Sequence, residues 1–301
     1  IGNNEVRTTV KPGGTLTYIP DSKSELSLNI SGGNSFGGLN NFYNGYIISQ
    51  YRNIQRYEAR LLETRNRNGS LSYRFKNPLK ASFSNISYTY GRSVRDYIFN
   101  TLLDSLGRNT TQINDRNSGS TSHRVTGSPS SFISGIKTVV KLNASSGWTA
   151  TDYLLNNITG KLHNFSYNTG LEVINTYFTK FSADYKITLS QSANRMAGGR
   201  TTQLTFNNHF LNLNWYPVAN HSLSLNNSYY RNNIAGQQNQ YFADATYRFT
   251  FKKWKTDLEL TAFNLLNNHR YVQQFSTTYE LIQSHFDLRP RQFFISTSCR
   301  F

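Results

Sequence analysis

Six histidines (His123, His163, His209, His221, His269 and His285) are the side chains best suited to hold a metal or move a proton. No two of them sit at i,i+2, and Cys299 is the single cysteine, so the spacing offers neither a metal cluster nor a disulfide framework. Nucleophilic catalysis fares no better. Ser is frequent throughout, but there is no Gly-x-Ser-x-Gly elbow and no phosphate-binding loop. Gly32-Gly33, Gly37-Gly38 and Gly198-Gly199 fall at strand ends or in loops, where turn geometry explains them. No catalytic constellation stands out, and no cofactor is implied. What remains distinctive is arginine set among aromatic residues, a pairing suited to sugars and anionic groups rather than to bond making.

The elements that would position such residues are strands. The chain has 301 residues and a net charge of +16, yet only 16% are charged, against roughly 25% in an average globular chain. Aromatics take up the difference, with 20 Tyr, 20 Phe and 3 Trp. No run approaches the roughly 18 apolar residues of a membrane helix. The dominant period is two: Leu26, Leu28 and Ile30 alternate with polar residues, as do Tyr185, Ile187 and Leu189, and the last stretch sets Phe293, Ile295, Thr297, Cys299 and Phe301 on one face.

Short connections alternate with long polar ones, near 33–46, 93–122, 149–161, 194–201, 232–238 and 267–271. Short turns therefore share one end of the sheet and long loops the other, as in transmembrane barrels. About thirteen strands are expected. Their spans are near 6–19, 24–33, 46–75, 79–92, 122–133, 137–148, 161–176, 180–193, 201–216, 221–232, 238–251 and 256–267, with one long last strand from Tyr271, bent near Pro290. An odd count, with edges that cannot stay open in lipid, implies part of a larger barrel. Two strands fall out of phase, Ile86 with Phe83 and Leu211 with Phe206, and a bulge in each would explain it.

Aromatics cluster near the short turns. Trp215, Tyr216, Phe249, Phe251 and Trp254 are the candidates for a membrane girdle, where a ring meets lipid and headgroup together. Arg52, Arg56, Arg60, Arg74 and Lys76 share one face of the 46–75 strand if no bulge intervenes, pointing into a lumen or above the membrane. Basic residues at an outer rim suit lipopolysaccharide phosphates. No nucleic-acid-binding module is present to make nucleic acid the partner. Asp104-Ser105-Leu106 matches a loose O-glycosylation pattern, with an exposed turn as the default.

At the C-terminus, Leu258-Glu259-Leu260-Thr261-Ala262-Phe263-Asn264-Leu265-Leu266-Asn267-Asn268 resembles the penultimate strand of TonB-dependent outer-membrane receptors. Leu288-Arg289-Pro290-Arg291 followed by Gln292–Phe301 is similar to their final strand, especially in Bacteroidota-type members. The resemblance is specific over the last fifty residues or so and architectural elsewhere. It implies an all-β antiparallel transmembrane barrel of about 22 strands around a plug, with residues 1–301 forming its C-terminal part.

It further implies energy-coupled import of a bulky solute (glycan, peptide or metal chelate) across the outer membrane of a Gram-negative cell. Coupling would reach the inner-membrane TonB system through N-terminal parts outside the given residues, and a surface lipoprotein would be a possible partner. Phe293, Ile295 and Phe301 would carry the signal read by the barrel-assembly machinery. Tyr43, Tyr46, Arg92, Arg95, Tyr97 and Trp148 would contact solute at the outer mouth. A passive porin, a fatty-acid-type channel and a structural subunit of a larger complex are the alternatives.

Overall fold

A computed structural model describes residues 8–37, 43–58, 61–196, 199, 201–233, 239–276 and 281–299. Gly13–Asp21 (β1) pairs antiparallel with Ser24–Phe36 (β2). Asn44–Gln50 (β3) and Asn53–Glu58 (β4) form a side hairpin, after which Glu63–Asn77 (β5) returns to β2. Ser82–Arg95 (β6) follows, then a second side hairpin of Ile98–Leu103 (β7) and Asn109–Asn114 (β8). Ser118–Gly127 (β9) and Ser130–Ile133 (β10) together fill the place between β6 and Thr138–Leu155 (β11).

A meander continues through Ile158–Asn175 (β12), Phe181–Met196 (β13), Thr201–Trp215 (β14), His221–Asn232 (β15), Asn239–Phe251 (β16) and Thr256–Phe263 (β17). Arg270–Ser276 (β18) and Leu281–Asp287 (β19) form a third side hairpin, and Gln292–Cys299 (β20) pairs with β17. With β9 and β10 taken as one, the wall has thirteen antiparallel places, the number expected from the turns. Among the described residues, β1 and β20 do not pair with each other.

Side chains directly opposite each other in an antiparallel ladder share a face, so the register assigns every residue of the wall. One face is apolar along its whole width. Its members include Leu16, Leu28, Leu71, Tyr88 and Val125, which follow one another from β1 to β9. Leu142, Leu171 and Ile187 continue it across β11 to β13, and Leu213, Leu225, Ala245, Ala262 and Phe293 across β14 to β20. The other face is mostly Ser, Thr and Asn, with ion pairs set directly across strands. Lys141 Nζ lies 2.9 Å from Glu172 Oε1, Arg74 Nη1 3.5 Å from Glu25 Oε1, and Arg248 Nε 3.0 Å from Glu259 Oε2.

Three short turns share one design. A 3-10 turn at Pro78–Lys80, Ser134–Ile136 or Lys252–Trp254 ends in a left-handed residue: Ala81, Lys137 or Lys255, with φ of 43°, 42° and 48°. That residue's amide closes back on the first carbonyl of the turn. A type I turn followed by a left-handed residue matches the twist of the flanking strands.

Several expectations need correction. The 46–75 span is not one strand, because a turn at Tyr51-Arg52 (Arg52 φ 67°) folds it into β3 and β4 before β5 begins. Residues 149–161 are not a loop. Strands β11 and β12 run on to a tight turn at Asn156-Asn157, whose φ of 48° and 64° suit a two-residue hairpin. The long bent last strand is instead the β18–β19 hairpin followed by β20, separated by Leu288-Arg289-Pro290-Arg291. No bulge interrupts β6 against β5 or β14 against β13. The phase breaks arise because Phe83, Leu204 and Phe206 are apolar residues on the otherwise polar face.

Candidate functional site

The long-connection end carries a second layer that alternation alone does not reveal. Strands β4 and β8 pair in parallel, as do β7 and β11, so the first two side hairpins make a four-stranded layer joined to the extended end of β11. Among the described residues, most of the buried apolar side chains lie here: Leu62 (1% exposed), Ile98, Ile113 and Leu154. Asp96 Oδ1 accepts from the Glu63 amide at 3.0 Å, and Asp152 Oδ2 accepts from the Gly119 amide at 2.8 Å, tying the layer's base to the wall. Asp104 holds the β7–β8 turn, accepting from the amides of Arg108 (2.8 Å) and Leu106 (2.9 Å). The Arg108 amide, then its guanidinium, lowers the Asp104 carboxyl below its ordinary range.

The third side hairpin folds over the polar face. Tyr271 of β18 packs between Tyr230 and Phe242, with ring centroids 6.3 and 6.1 Å away, and Phe286 lies 6.2 Å beyond it. Phe210 extends the cluster at 5.7 Å from Tyr230. The side chain of Gln240 bonds both backbone groups of Val272, which is buried. Burial, with Tyr230 beside it, pushes the Tyr271 hydroxyl up. Phe210, Tyr230 and Phe242 all share the polar face through the register of β14, β15 and β16. An aromatic patch above a Ser- and Asn-lined wall can stack a ring or sugar face while hydroxyls and amides bond its rim.

The motif that ends β17 acts as a clamp. Asn264 Oδ1 accepts from the Asn268 amide at 2.9 Å, while its Nδ2 donates to the carbonyls of Asn268 (2.7 Å) and Arg289 (3.0 Å). Asn267 Oδ1 accepts from the Arg291 amide at 2.9 Å. Asn264 and Asn267 are both left-handed, a conformation that Asn tolerates. The Asn-Leu-Leu-Asn spacing thus fixes the lead-in to β20.

The six expected contact residues do not form one site. Tyr46 belongs to the β3–β4 hairpin, where Arg56 lies 5.8 Å over its ring, and Tyr43 immediately precedes β3. Tyr97 is at the base of the second hairpin, its ring 5.3 Å from Phe99 and its carbonyl accepting from Ser118 Oγ at 2.6 Å. Arg95 ends β6 on the polar face. Trp148 and Arg92 differ in kind: both point to the apolar face, because β6 and β11 are still wall strands at those positions. Trp148 lies between His123 (5.4 Å) and His163 (6.0 Å).

The arginines expected along one strand also divide. Arg52 and Arg56 are in the hairpin, Arg65 and Arg67 on the apolar face of β5, and Arg74 and Lys76 on the polar face, while Arg60 lies outside the described residues. Trp215, Phe249 and Phe251 occupy the apolar face near the short turns, with Tyr216 and Trp254 in the turns themselves. Phe251 stacks on Trp254 at 5.5 Å. Phe293 and Ile295 sit on the apolar face of β20, and Phe301 lies outside the described residues. The aromatic cluster around Tyr271 was missed; its signal was the phase break in β14.

No protein-family model matches the sequence, and no curated protein matches it. Among solved structures, the chain is similar to the ferric yersiniabactin uptake receptor FyuA from Yersinia pestis, with a TM-score of 0.45 and 10% identity over 97% of this chain and 50% of that one. It is similar to the RagAB peptide importer in its closed-closed state (TM-score 0.44, 9% identity, 97% of this chain and 42% of that one). The siderophore receptor PirA from Acinetobacter baumannii gives 0.43 and 10% over 96% of this chain and 49% of that one. The chain spans half the length, or a little less, of these three chains.

Proposed function

We propose that this chain is part of the wall of an outer-membrane β-barrel that acts as a transport protein or receptor. The observation that carries the reading is the two-faced wall: one face apolar from β1 to β20, the other polar and ion-paired. On β11 the apolar face runs from Val140 to Trp148, eight residue steps. That is about 27 Å of strand at about 3.4 Å per residue, or about 21 Å across the membrane at a tilt of about 40°. The lipid-facing band of a transmembrane barrel is about 25 Å tall, close to this height. Rings bound it on both sides: Trp215, Phe249 and Phe251 near the short turns, and Tyr90, His123 and Trp148 towards the layered end.

The polar face lines the lumen, the short turns meet the periplasm, and the layered end forms the mouth. Further strands cover the edges of β1 and β20, since unpaired backbone in lipid costs several kcal/mol per group, of order ~3. The finer reading is a plugged, TonB-dependent importer of a bulky solute, coupled to the inner membrane through other parts of the protein and capable of seating a surface lipoprotein on its mouth. Phe293 and Ile295 present the assembly signal. Deleting the gene and measuring growth on candidate glycans, peptides and iron chelates tests import. Unchanged uptake of every solute, with the barrel correctly inserted, would leave a scaffolding role instead.

A further inference from the structure

On the apolar face, the pairing of β1, β2, β5 and β6 sets small and large residues in alternation. One row reads Gly14, Ile30, Gly69, Tyr90; the row nearer the mouth has Gly32, Arg67 and Arg92, with Pro12 beside Gly32. The glycines leave a trough of about 660 Å³ between Pro12, Ile30, Arg67 and Tyr90. A side chain at Gly14 or Gly69 would meet nothing within 4 Å. The walls are apolar, whereas the mouth-side rim carries two exposed guanidinium groups opposite each other.

The neighbouring Arg65 is paired with Glu63 at 3.0 Å. Arg67 and Arg92 have no carboxylate partner of that kind among the described residues. Two adjacent like charges on facing strands repel unless an anion lies between them. The Tyr90, His123 and Trp148 row marks the interfacial level, and the arginine pair lies one step of the ladder further out, about 7 Å at about 3.4 Å per residue. Phosphate and acyl chain are thus offered complementary surfaces at the heights where a bilayer places them.

We infer that this trough is a specific site for one anionic phospholipid-like molecule of the surrounding leaflet. Its phosphate bridges Arg67 and Arg92, and one acyl chain lies over Gly14 and Gly69 against Ile30 and Tyr90. The site rests on the outer-membrane reading above.

The test is native mass spectrometry of the chain extracted from outer membranes, incubated with phosphatidic acid, with phosphatidylcholine, or with inorganic phosphate. Retained phosphatidic acid is expected to exceed phosphatidylcholine about tenfold, and Arg67→Gln with Arg92→Gln to remove that excess, as for the loss of a charge-assisted bond. Gly69→Leu, or Gly14→Leu if the first does not fold, fills the trough and lowers retention of the lipid to a similar degree.

Equal retention of both lipids would overturn the selectivity for an anionic headgroup, retention undisturbed by the two arginine substitutions would overturn the phosphate bridge, and retention undisturbed by the filled trough would overturn the groove. Competition by inorganic phosphate at equal concentration would reduce the site to one for a free anion. A dimer dispersed by Gly69→Leu would put a second copy there instead of lipid. Absence of lipid on a heat-modifiable, membrane-inserted protein sinks the site alone; recovery of the chain in the soluble fraction sinks the barrel reading as well.

Discussion

Asn100 and Asn157 hold each other across two layers: Asn100 Nδ2 donates to Asn157 Oδ1 at 2.8 Å, and the Asn157 amide donates to Asn100 Oδ1 at 3.3 Å. Asn100 is 0% exposed and sits on β7, while Asn157 is left-handed in the turn between β11 and β12. Its neighbour Asn156 grips Leu103 in the same way, accepting from the Leu103 amide at 2.8 Å. The second side hairpin is thus latched to a wall turn by side chains that can complete the backbone bonds of both.

Breaking the latch should free the hairpin without opening the wall. Asn100→Ala removes both hydrogen bonds to the exposed Asn157, at a cost of about 0.5–1.5 kcal/mol for each. Limited proteolysis is expected to cut between residues 96 and 117 faster, while heat-modifiable mobility on gels stays as in the parent. A parallel loss of the folded band would show that the hairpin and the wall form one cooperative unit.

Acid should loosen the same hairpin at its tip. The lowered Asp104 carboxyl lies beyond the membrane band, and a depressed carboxyl contributes order that is fully present above its unfolded value of 3.8. The contribution is lost as pH falls through the lower folded value. Hydrogen exchange of the Leu106 and Arg108 amides is expected to lose protection in that acid range, after correction for intrinsic rates. Asp104→Asn, which keeps an acceptor oxygen but cannot titrate, should flatten the dependence.

Facing can be read from a pair of neighbours. Leu225 lies on the apolar face between Leu213 and Ala245, and Asn226 on the polar face between Asn212 and Asp244. Leu225→Arg should cost about 2–4 kcal/mol in lipid and lower the yield of inserted barrel, while Asn226→Arg is tolerated. The reverse order of yields would turn the wall inside out.

The hairpin at Tyr271 offers a test of the mouth. Tyr271→Ala removes ring contacts with Tyr230, Phe242 and Phe286, each worth about 0.5–1.5 kcal/mol beyond area burial. Protease access within 270–287 should rise, and under the proposed import role the affinity of solute uptake should change. Unchanged uptake with a loosened hairpin would confine Tyr271 to a packing role.

The period of two, and the alternation of short with long connections, were enough to read an all-β meander with thirteen wall places, because both follow from local chain geometry and need no partner. The apolar face and its short-turn aromatics, Trp215 and Phe249 among them, were legible for the same reason. Tertiary pairing decided the rest. Whether Trp148 and Arg92 looked into a mouth or out of the wall depended on where β11 and β6 stopped, and only their partner strands carried β11 to Leu155 and β6 to Arg95. The out-of-phase Phe206 looked like a register fault until the pairing of β14 placed it on the same face as Phe210, whose ring joins the cluster under the β18–β19 hairpin. Arg67 and Arg92 are 25 residues apart in sequence and became a facing pair of cations only when β5 and β6 put them side by side. A sequence states which face each residue prefers; the register states which residues share it.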